Sequence, residues 1–215
     1  MLNRIACLFL ALAAASAQTA PKLRLMNVKA EPVTYKGKAC LRLTDIAPDN
    51  TPDGARLAAI EGSDFEDGAI EVDLTGDTLP NTNPTFRGFT GMAFRVAANG
   101  AGYESFYLRP KNGRAEDQEQ RNHSAQYMSA PDFPWQRLRQ ETPGRYEAYV
   151  DLVPGEWTRM KIEVHGDKAR LYVHGSEQPT LIVNDLKRGR SRGWVAYWIG
   201  PGTVAHFANL KIARE

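Results

Sequence analysis

The sequence predicts an all-β protein built as one antiparallel sandwich of two sheets. Short segments in which apolar and polar residues alternate recur along the chain, as in strands with one buried face. The chain contains 18 Gly and 13 Pro, and Gly, Pro, Asn or Asp separates most of these segments. After residue 17, no run keeps helical apolar spacing over the length of an ordinary helix. Together these observations favour two packed sheets over a helical domain.

The strand candidates follow one another along the whole chain. In 70–75 and 92–97 a large apolar residue alternates with a polar or small one, which predicts one face towards the core in each segment. The full set of strand candidates is 23–28, 38–45, 70–75, 92–97, 103–109, 146–152, 157–165, 168–174, 180–184, 193–199 and 204–212.

One hairpin can be assigned a register from the sequence. Gly166-Asp167 separates two alternating runs and suits a two-residue turn. Ile162 should then face Leu171 on the apolar side, and Glu163 should face Arg170 on the polar side, where opposite charges stabilise the pairing.

The same register excludes a metal site built from His165 and His174. His165 lies beside the turn, whereas His174 lies opposite Arg159, six strand residues away. That separation is roughly 20 Å, and zinc–nitrogen bonds are about 2 Å long. We therefore predict no metal-ligand pair.

Charge and composition exclude several classes of protein. The 215 residues hold 27 Lys+Arg and 25 Asp+Glu, a net charge of +2, whereas a dedicated nucleic-acid binder usually has a strong basic excess. With 24% charged and 42% hydrophobic residues, the chain is neither disordered nor embedded in a membrane.

Residues 1–17 read as a secretory signal. A basic residue precedes the apolar run 5–15, and Ala15-Ser16-Ala17 matches an A-x-A cleavage site. The run is shorter than the roughly 20 residues that span a bilayer, although an uncleaved anchor is the alternative. We expect a mature chain from Gln18, a single domain at 18–215, no transmembrane segment after cleavage, and a secreted or periplasmic location.

Cys40 is the one cysteine left after signal removal, so it has no partner for an internal disulfide. Its place in an alternating segment favours a small buried residue over a catalytic thiol. An exported domain without disulfides must be stabilised by packing.

The stretch 110–145 interrupts the strand pattern and is the main functional clue. Arg, Asn, Gln and Asp are interleaved there with Tyr and Trp. Planar polar groups suit sugar hydroxyls, aromatic rings suit the apolar face of a pyranose, and Arg suits a carboxylate or sulfate. The alternative is a solvated loop with a structural Arg–Asp network.

A set of motifs resembles the concanavalin A-like lectin/glucanase superfamily over residues 23–213, most closely laminin-G-like exported bacterial domains. The chain is also similar to the family that contains 3-keto-disaccharide hydrolases. The motifs are 68–74, 91–95, 106–110, 126–127, 155–157, 169–173, 193–198 and 207–212. The resemblance implies a jelly-roll sandwich of two curved sheets.

The resemblance also implies a glycan site on the concave sheet and its rim loops, with an oligo- or polysaccharide as the partner. The candidate site residues are Arg95, Tyr107, Arg109, Arg121, His123, Gln126, Tyr127, Trp135, Arg139, Trp198 and His206. For Trp198 a core position is an equally good interpretation. No cofactor is expected, apart from a structural Ca²⁺ that Asp64 and Asp67 would help to hold without an EF-hand spacing.

Three functions remain open at this level. The first is a lectin-like binding domain, which needs an exposed aromatic platform such as Trp135. The second is a glycoside hydrolase or polysaccharide lyase, including a keto-sugar hydrolase, with His123, Tyr107 and Arg109 around one point. The third is a structural or adhesion domain whose arginines are occupied by buried acids.

Two further motifs have weaker interpretations. Glu71 and Asp73 resemble part of the Glu-x-Asp-x-x-Glu strand of retaining glucanases, which need two carboxylates about 5–5.5 Å apart. The last position of that spacing falls on Gly76, and the nearest acid, Asp77, follows this glycine. The basic run 187–192 suits either an anionic surface or, more simply, a solvated hairpin loop.

Overall fold

The structure, a computed structural model, describes residues 21–46 and 55–215. The predicted signal at 1–17 therefore lies outside the described residues. The described residues form two seven-stranded antiparallel sheets, which confirms the predicted two-sheet sandwich. None of the helices in the described ranges is long and apolar enough to cross a membrane.

The elements are mostly short strands, with two short helices and one 3-10 turn in the polar stretch. The strands are β1 (Leu23–Met26), β2 (Val28–Tyr35), β3 (Lys38–Asp45), β4 (Leu57–Phe65), β5 (Gly68–Thr78), β6 (Thr90–Val96), β7 (Tyr103–Leu108), β8 (Ala125–Ala130), β9 (Glu147–Ala148), β10 (Thr158–His165), β11 (Lys168–Val173), β12 (Leu181–Val183), β13 (Gly193–Ile199) and β14 (Thr203–Arg214). The turn is Pro110–Asn112, and the helices are α1 (Gln118–Asn122) and α2 (Trp135–Glu141).

The strand order shows how distant parts of the chain come together. Sheet I has the order β1-β4-β13-β6-β7-β8-β9, and sheet II has the order β12-β11-β10-β5-β14-β3-β2. In sheet I, β6, β7 and β8 are neighbours in both sequence and space. The polar stretch that follows β7 therefore lies at one end of sheet I.

The predicted β10–β11 register is confirmed. Ile162 pairs with Leu171, and Glu163 pairs with Arg170. On its other side β10 pairs with β5, with Ile162 opposite Ile70. The alternation seen in the sequence thus places one apolar row across three strands.

The hydrophobic core lies between the sheets. Tyr197 of β13 meets Phe207 of β14 across it, with ring centroids 4.9 Å apart, and both side chains are buried. An aromatic pair of this kind contributes about 0.5–1.5 kcal/mol beyond the area that it buries.

Cys40 is a free thiol on β3, half-buried rather than fully buried. Its Sγ donates a weak hydrogen bond to the Val33 carbonyl at 3.6 Å. Burial raises the pKa of this thiol, and a protonated thiol is a poor nucleophile. The structural interpretation of Cys40 is therefore favoured.

Some strands differ from the prediction. β4 and β8 were not predicted, because β4 begins with the unbroken apolar run 57–60 and β8 lies within the polar stretch, so neither shows a clear alternation of apolar and polar residues. β2 also lay outside the strand candidates. In the candidate 146–152, only Glu147–Ala148 forms a strand. The polar stretch is thus not a single loop, since β8 runs through it.

Candidate functional site

One row of side chains crosses the outer face of sheet I, the face turned away from sheet II, and forms the base of the site. Trp198 pairs with Gly91, Gly91 with Tyr107, Tyr107 with Gln126, and Gln126 with Glu147. Paired residues share a face of the sheet. A Cβ at Gly91 would lie 2.7 Å from Tyr107 Cβ, so glycine allows Trp198 to stack on Tyr107 with centroids 4.6 Å apart.

Arg109 follows β7 and lies two residues after Tyr107, so its side chain returns to the same face. Its Nη2 donates to Tyr107 Oη and to Gln126 Oε1, both at 3.0 Å. Its Nη1 donates to the His123 carbonyl at 2.8 Å and to Glu147 Oε1 at 3.3 Å. The guanidinium is buried and held by four acceptors on one side of the site.

Glu147, on β9, is the buried carboxylate at the centre of this network. Arg109 and Arg139 both form ion pairs with it, and Arg139 Nε lies 3.0 Å from Glu147 Oε2. His123 Nε2 lies 3.5 Å from the same oxygen. One acid thus holds two cations and a histidine from three different segments.

Helix α2 supplies an aromatic wall. Trp135 and Arg139 are four residues apart and therefore share a helix face, with the Arg139 guanidinium 4.5 Å from the indole centroid. Arg109 lies 5.4 Å from the same ring. Leu138 anchors the helix in the core. The indole is partly exposed and lies within cation–π distance of both guanidiniums, which stabilises its position.

These groups line a cavity of about 510 Å³, which we call the Trp135 cleft. Its volume falls within the range of small-molecule sites. The lining residues are Asn83, Thr85, Phe86, Arg87, Phe89, Arg109, Asn112, Asp117, Glu119, Gln120, His123, Trp135, Arg139 and Pro201.

The opposite wall is aromatic and is supported by the β13–β14 turn. Phe89 packs against Tyr107, with centroids 5.6 Å apart. Gly202 has φ +61°, and a Cβ there would lie 2.3 Å from Phe86. Glycine at this turn therefore leaves room for Phe86 to line the cleft beside Pro201.

His123 is the titratable imidazole of the cleft. Burial lowers its pKa, and the nearby Glu147 carboxylate only partly opposes this effect. The ring is therefore neutral at pH 7. Because Nε2 faces Glu147, Nδ1 points away from that carboxylate and retains the capacity to exchange a proton.

The structure brings together part of the predicted set. Arg109, His123, Trp135 and Arg139 line the cleft, and Tyr107 and Gln126 support Arg109 from behind. Trp198 is buried and lies further along the same face, so its role is packing.

Two other candidates on nearby elements point elsewhere. Tyr127 faces the core side of sheet I, where its hydroxyl donates to buried Glu104 at 2.5 Å. Arg121 lies on α1, and its Nη2 donates to Tyr149 Oη at 3.1 Å. Neither side chain lines the cleft, because β8 alternates its faces at Tyr127 and α1 turns Arg121 outward.

Arg95 is removed from the cleft by a β-bulge. It has φ +52°, and the β6–β13 register shifts beside it. Its Nη2 pairs with Asp67 Oδ1 at 2.9 Å, and its other donors bind backbone carbonyls. The bulge turns the side chain away from the cleft, so that it links Asp67 with nearby backbone carbonyls and has a structural role.

The carboxylates proposed for calcium are occupied by cations. Asp67 pairs with Arg95 and Arg190, and Asp64 pairs with Arg192 at 3.0 Å. In the ranges that the structure describes, no group of three His, Cys, Asp or Glu side chains is arranged to hold a metal ion. This arrangement does not favour a calcium site there.

The charged side chains of the basic run and of the glucanase-like motif also form ion pairs within the protein. Arg190 and Arg192 both face Glu66, as expected for a hairpin loop rather than an anion-binding surface. Glu71 pairs with Arg159, and Asp73 with Lys38. Both acids lie on β5 of sheet II, so they are absent from the cleft lining.

His206 lies on β14 of sheet II, outside the cleft. Its ring stacks on Tyr35 with centroids 3.8 Å apart, and its Nδ1 lies 3.0 Å from Thr75 Oγ1. Burial, followed by the neighbouring Arg42 charge, lowers the His206 pKa from 6.5 to about 4. The imidazole is therefore neutral in the folded protein at pH 7.

We expect His206 to make the fold sensitive to acid. Because its folded pKa is depressed, the unfolded chain takes up the proton first, and stability falls as the pH drops from 6.5 towards 4. Between pH 7.5 and pH 5 the loss should be about 2 kcal/mol. Urea unfolding of the wild type and of His206→Gln at both pH values measures it. An equal loss in both proteins would contradict this assignment.

Sequence reasoning missed Glu147, Phe86 and Phe89. Glu147 carries no local motif, and only its pairing with Gln126 across β8–β9 brings it to the site. Phe86 and Phe89 lie in a connection rich in Pro and Asn. Their aromatic character was the only feature of the sequence that could have indicated a place in the site.

Comparisons with known proteins support the fold. No protein-family model matches the chain, and no curated protein matches it significantly. A Bacillus subtilis protein of unknown function with a galectin-like fold is similar at a TM-score of 0.55 and 12% identity, covering 90% of each chain. A Bacillus licheniformis β-glucanase is similar at a TM-score of 0.50 and 13% identity, covering 93% of this chain and 91% of the other.

The chain therefore has the jelly-roll fold of the concanavalin A-like lectin/glucanase superfamily. This confirms the fold that the sequence motifs implied. The same fold carries both binding and catalytic proteins, so the function must be argued from the cleft itself.

Proposed function

We propose that this protein is a lectin-like carbohydrate-binding domain that holds a glycan in the Trp135 cleft. The observation that carries the proposal is the partly exposed Trp135 indole in a cavity of about 510 Å³ that also presents planar polar groups. Phe86 and Phe89 provide the facing apolar wall. A pyranose presents apolar C–H faces and equatorial hydroxyls, which match such walls.

The polar groups of the cleft are held in place before any ligand binds. Gln126 Nε2 donates to two backbone carbonyls, so its oxygen is directed at Arg109, which in turn fixes the His123 carbonyl. Ordered side chains lose little entropy on binding. The similarity to a β-glucanase and to a galectin-like fold adds support for a sugar ligand.

The second candidate function is a glycoside hydrolase or polysaccharide lyase that uses the same cleft. A neutral His123, 3.5 Å from Glu147, is suited to proton transfer near pH 7. Arg109 lines the same cleft as His123, whereas Tyr107 is buried behind Arg109 and would act only through it. Glu147 itself is held by two arginines and is a poor nucleophile.

The structural or adhesion interpretation is the third candidate. Arg109 and Arg139 are indeed paired with a buried acid, but Arg121 is not. A purely structural network has no need of an open cavity beside it. The cleft thus favours a ligand over a structural role.

A glycan array of neutral, uronic, sulfated and 3-keto oligosaccharides tests the binding proposal. We expect reproducible hits that the free sugar competes away, followed by product analysis on each hit. Absence of binding to every class would contradict the proposal.

Turnover distinguishes the first two candidates. Binding without products supports the lectin. If products form, His123→Gln should reduce turnover by about 10²-fold or more while binding persists, and His174→Gln, an exposed histidine outside the cleft, should leave turnover unchanged. Equal turnover in both variants would exclude His123 as the acid–base group.

We also propose that the protein is exported, on the strength of the signal pattern in residues 1–17. N-terminal sequencing of the protein recovered outside the cytoplasm tests this, with Gln18 expected as the first residue. An intact Met1 in that fraction would contradict cleavage.

A further inference from the structure

We call the part of the Trp135 cleft formed by Arg109, His123 and Arg139 its inner end. Positive charge exceeds negative charge there. Arg109 and Arg139 share one carboxylate, that of Glu147. Among the residues that the structure describes, no second acid forms an ion pair with either arginine. His123 is neutral near pH 7, so two guanidiniums face one carboxylate.

This imbalance is poorly screened by water. The Arg109 and Glu147 side chains are 4% and 3% exposed, and the Arg139 side chain is 31% exposed. An uncompensated charge in such surroundings is unfavourable. A bound anion at this place would balance the charge.

The unused hydrogen-bonding capacity here consists of donors. Arg139 directs Nε and Nη2 at Glu147, which leaves Nη1 without an acceptor in the described part of the chain. The Trp135 indole N–H also has no acceptor there, but it is covered from solvent, so Arg139 Nη1 is the donor available to a ligand. A free guanidinium donor beside an excess positive charge suits an oxyanion.

Two other acids, Asp117 and Glu119, also line the cleft. Both are exposed residues at the start of α1, where solvent and salt screen their charge. Asp117 Oδ1 accepts the Gln120 amide at 2.6 Å as the helix cap. The charges of Arg109, Glu147 and Arg139 are more buried and less screened, so the place for an anionic group is beside Arg139.

We propose that the Trp135 cleft selects glycans that carry an anionic group, a uronic-acid carboxylate or a sulfate ester, and that Arg139 pairs with it. This inference rests on the proposed glycan-binding function and names the class of sugar. Arg139 is suited to the role because its planar fork can hold Glu147 on one edge and present a free amino group on the other.

The direct test is a set of matched ligand pairs on the full chain. Oligogalacturonate, oligoglucuronate and oligomannuronate are each compared with the carboxyl-reduced neutral form, and a sulfated galactan oligosaccharide with its desulfated form. We expect at least one anionic member to bind about 10-fold more tightly than its neutral partner. A preference for a uronate over its reduced form identifies the recognised group as a carboxylate. A preference for the sulfated galactan over its desulfated form identifies it as a sulfate ester.

Two substitutions in α2 test whether the preference for anionic glycans depends on Arg139. Arg139→Gln should reduce the anionic preference to about 2-fold or less. Arg137→Gln removes the same charge from the same helix, but Arg137 pairs with Glu141 outside the cleft, so the preference should persist. Circular dichroism melting confirms that both variants are folded.

The outcomes separate this inference from the proposed function. Tight binding of neutral members with no anionic preference in the wild type would overturn the inference and leave glycan binding intact. Retention of the preference in Arg139→Gln would overturn the role of Arg139. Binding to no member would contradict both proposals. The wild-type comparison decides the anionic preference even if Arg139→Gln does not fold.

Discussion

Replacing Glu147 with alanine should destabilise the protein by about 3–5 kcal/mol, the largest effect expected of any single substitution in the site. The change leaves the buried Arg109 guanidinium and the half-buried Arg139 without their shared counter-ion. In a domain of this size the melting temperature should fall by about 10 °C. Thermal and urea unfolding at pH 7 measure the loss.

A matched control separates this effect from a general loss of acidic charge. Glu141 is an exposed acid on α2 that pairs with Arg137. Glu141→Ala should change stability by less than about 0.5 kcal/mol. Glu147→Gln keeps the shape and one acceptor oxygen, so it should lie between the two. Equal stability of Glu147→Ala and Glu141→Ala would show that the buried network is not what holds β9, α2 and Arg109 together.

Replacing Trp135 with alanine should abolish most glycan binding while the fold persists. An aromatic residue at the centre of a binding site typically contributes about 2 kcal/mol, or about 30-fold in Kd. Trp135 is partly exposed on a short helix that Leu138 anchors separately, so the loss of stability should be modest. Isothermal titration with the array hits, alongside a melting curve, gives both quantities.

Tyr149 provides the control for this substitution. It is 45% exposed and lies outside the cleft lining, so Tyr149→Ala removes an accessible ring without touching the proposed platform. Its affinity should equal that of the wild type. A Trp135→Ala protein that binds as well as Tyr149→Ala would show that the sugar does not pack on this indole.

Local pattern was sufficient for much of the fold. The alternation in β5 and β10 and the turn at Gly166-Asp167 predicted the pairing that the structure contains. The same reasoning failed for β4, which begins with an unbroken apolar run at 57–60, and for β8, which lies within the polar stretch. Resemblance of motifs, rather than periodicity, pointed to the jelly roll.

The site was predictable only in part, and for a physical reason. His123, Trp135 and Arg139 lie in the polar stretch 110–145, which Arg109 directly precedes and whose composition indicated ligand contact. Glu147 reaches them only through the β8–β9 register. Arg95 was misplaced because a β-bulge, which no local pattern announced, turned its side chain away.

Binding of a glycan in the Trp135 cleft is tested most directly by a crystal structure of the full chain with the tightest oligosaccharide from the array. We expect a pyranose ring packed on Trp135, with an anionic group within hydrogen-bond distance of Arg139. A sugar bound elsewhere, such as on the outer face of sheet II beside Glu71 and Asp73, with the Trp135 cleft empty, would contradict it.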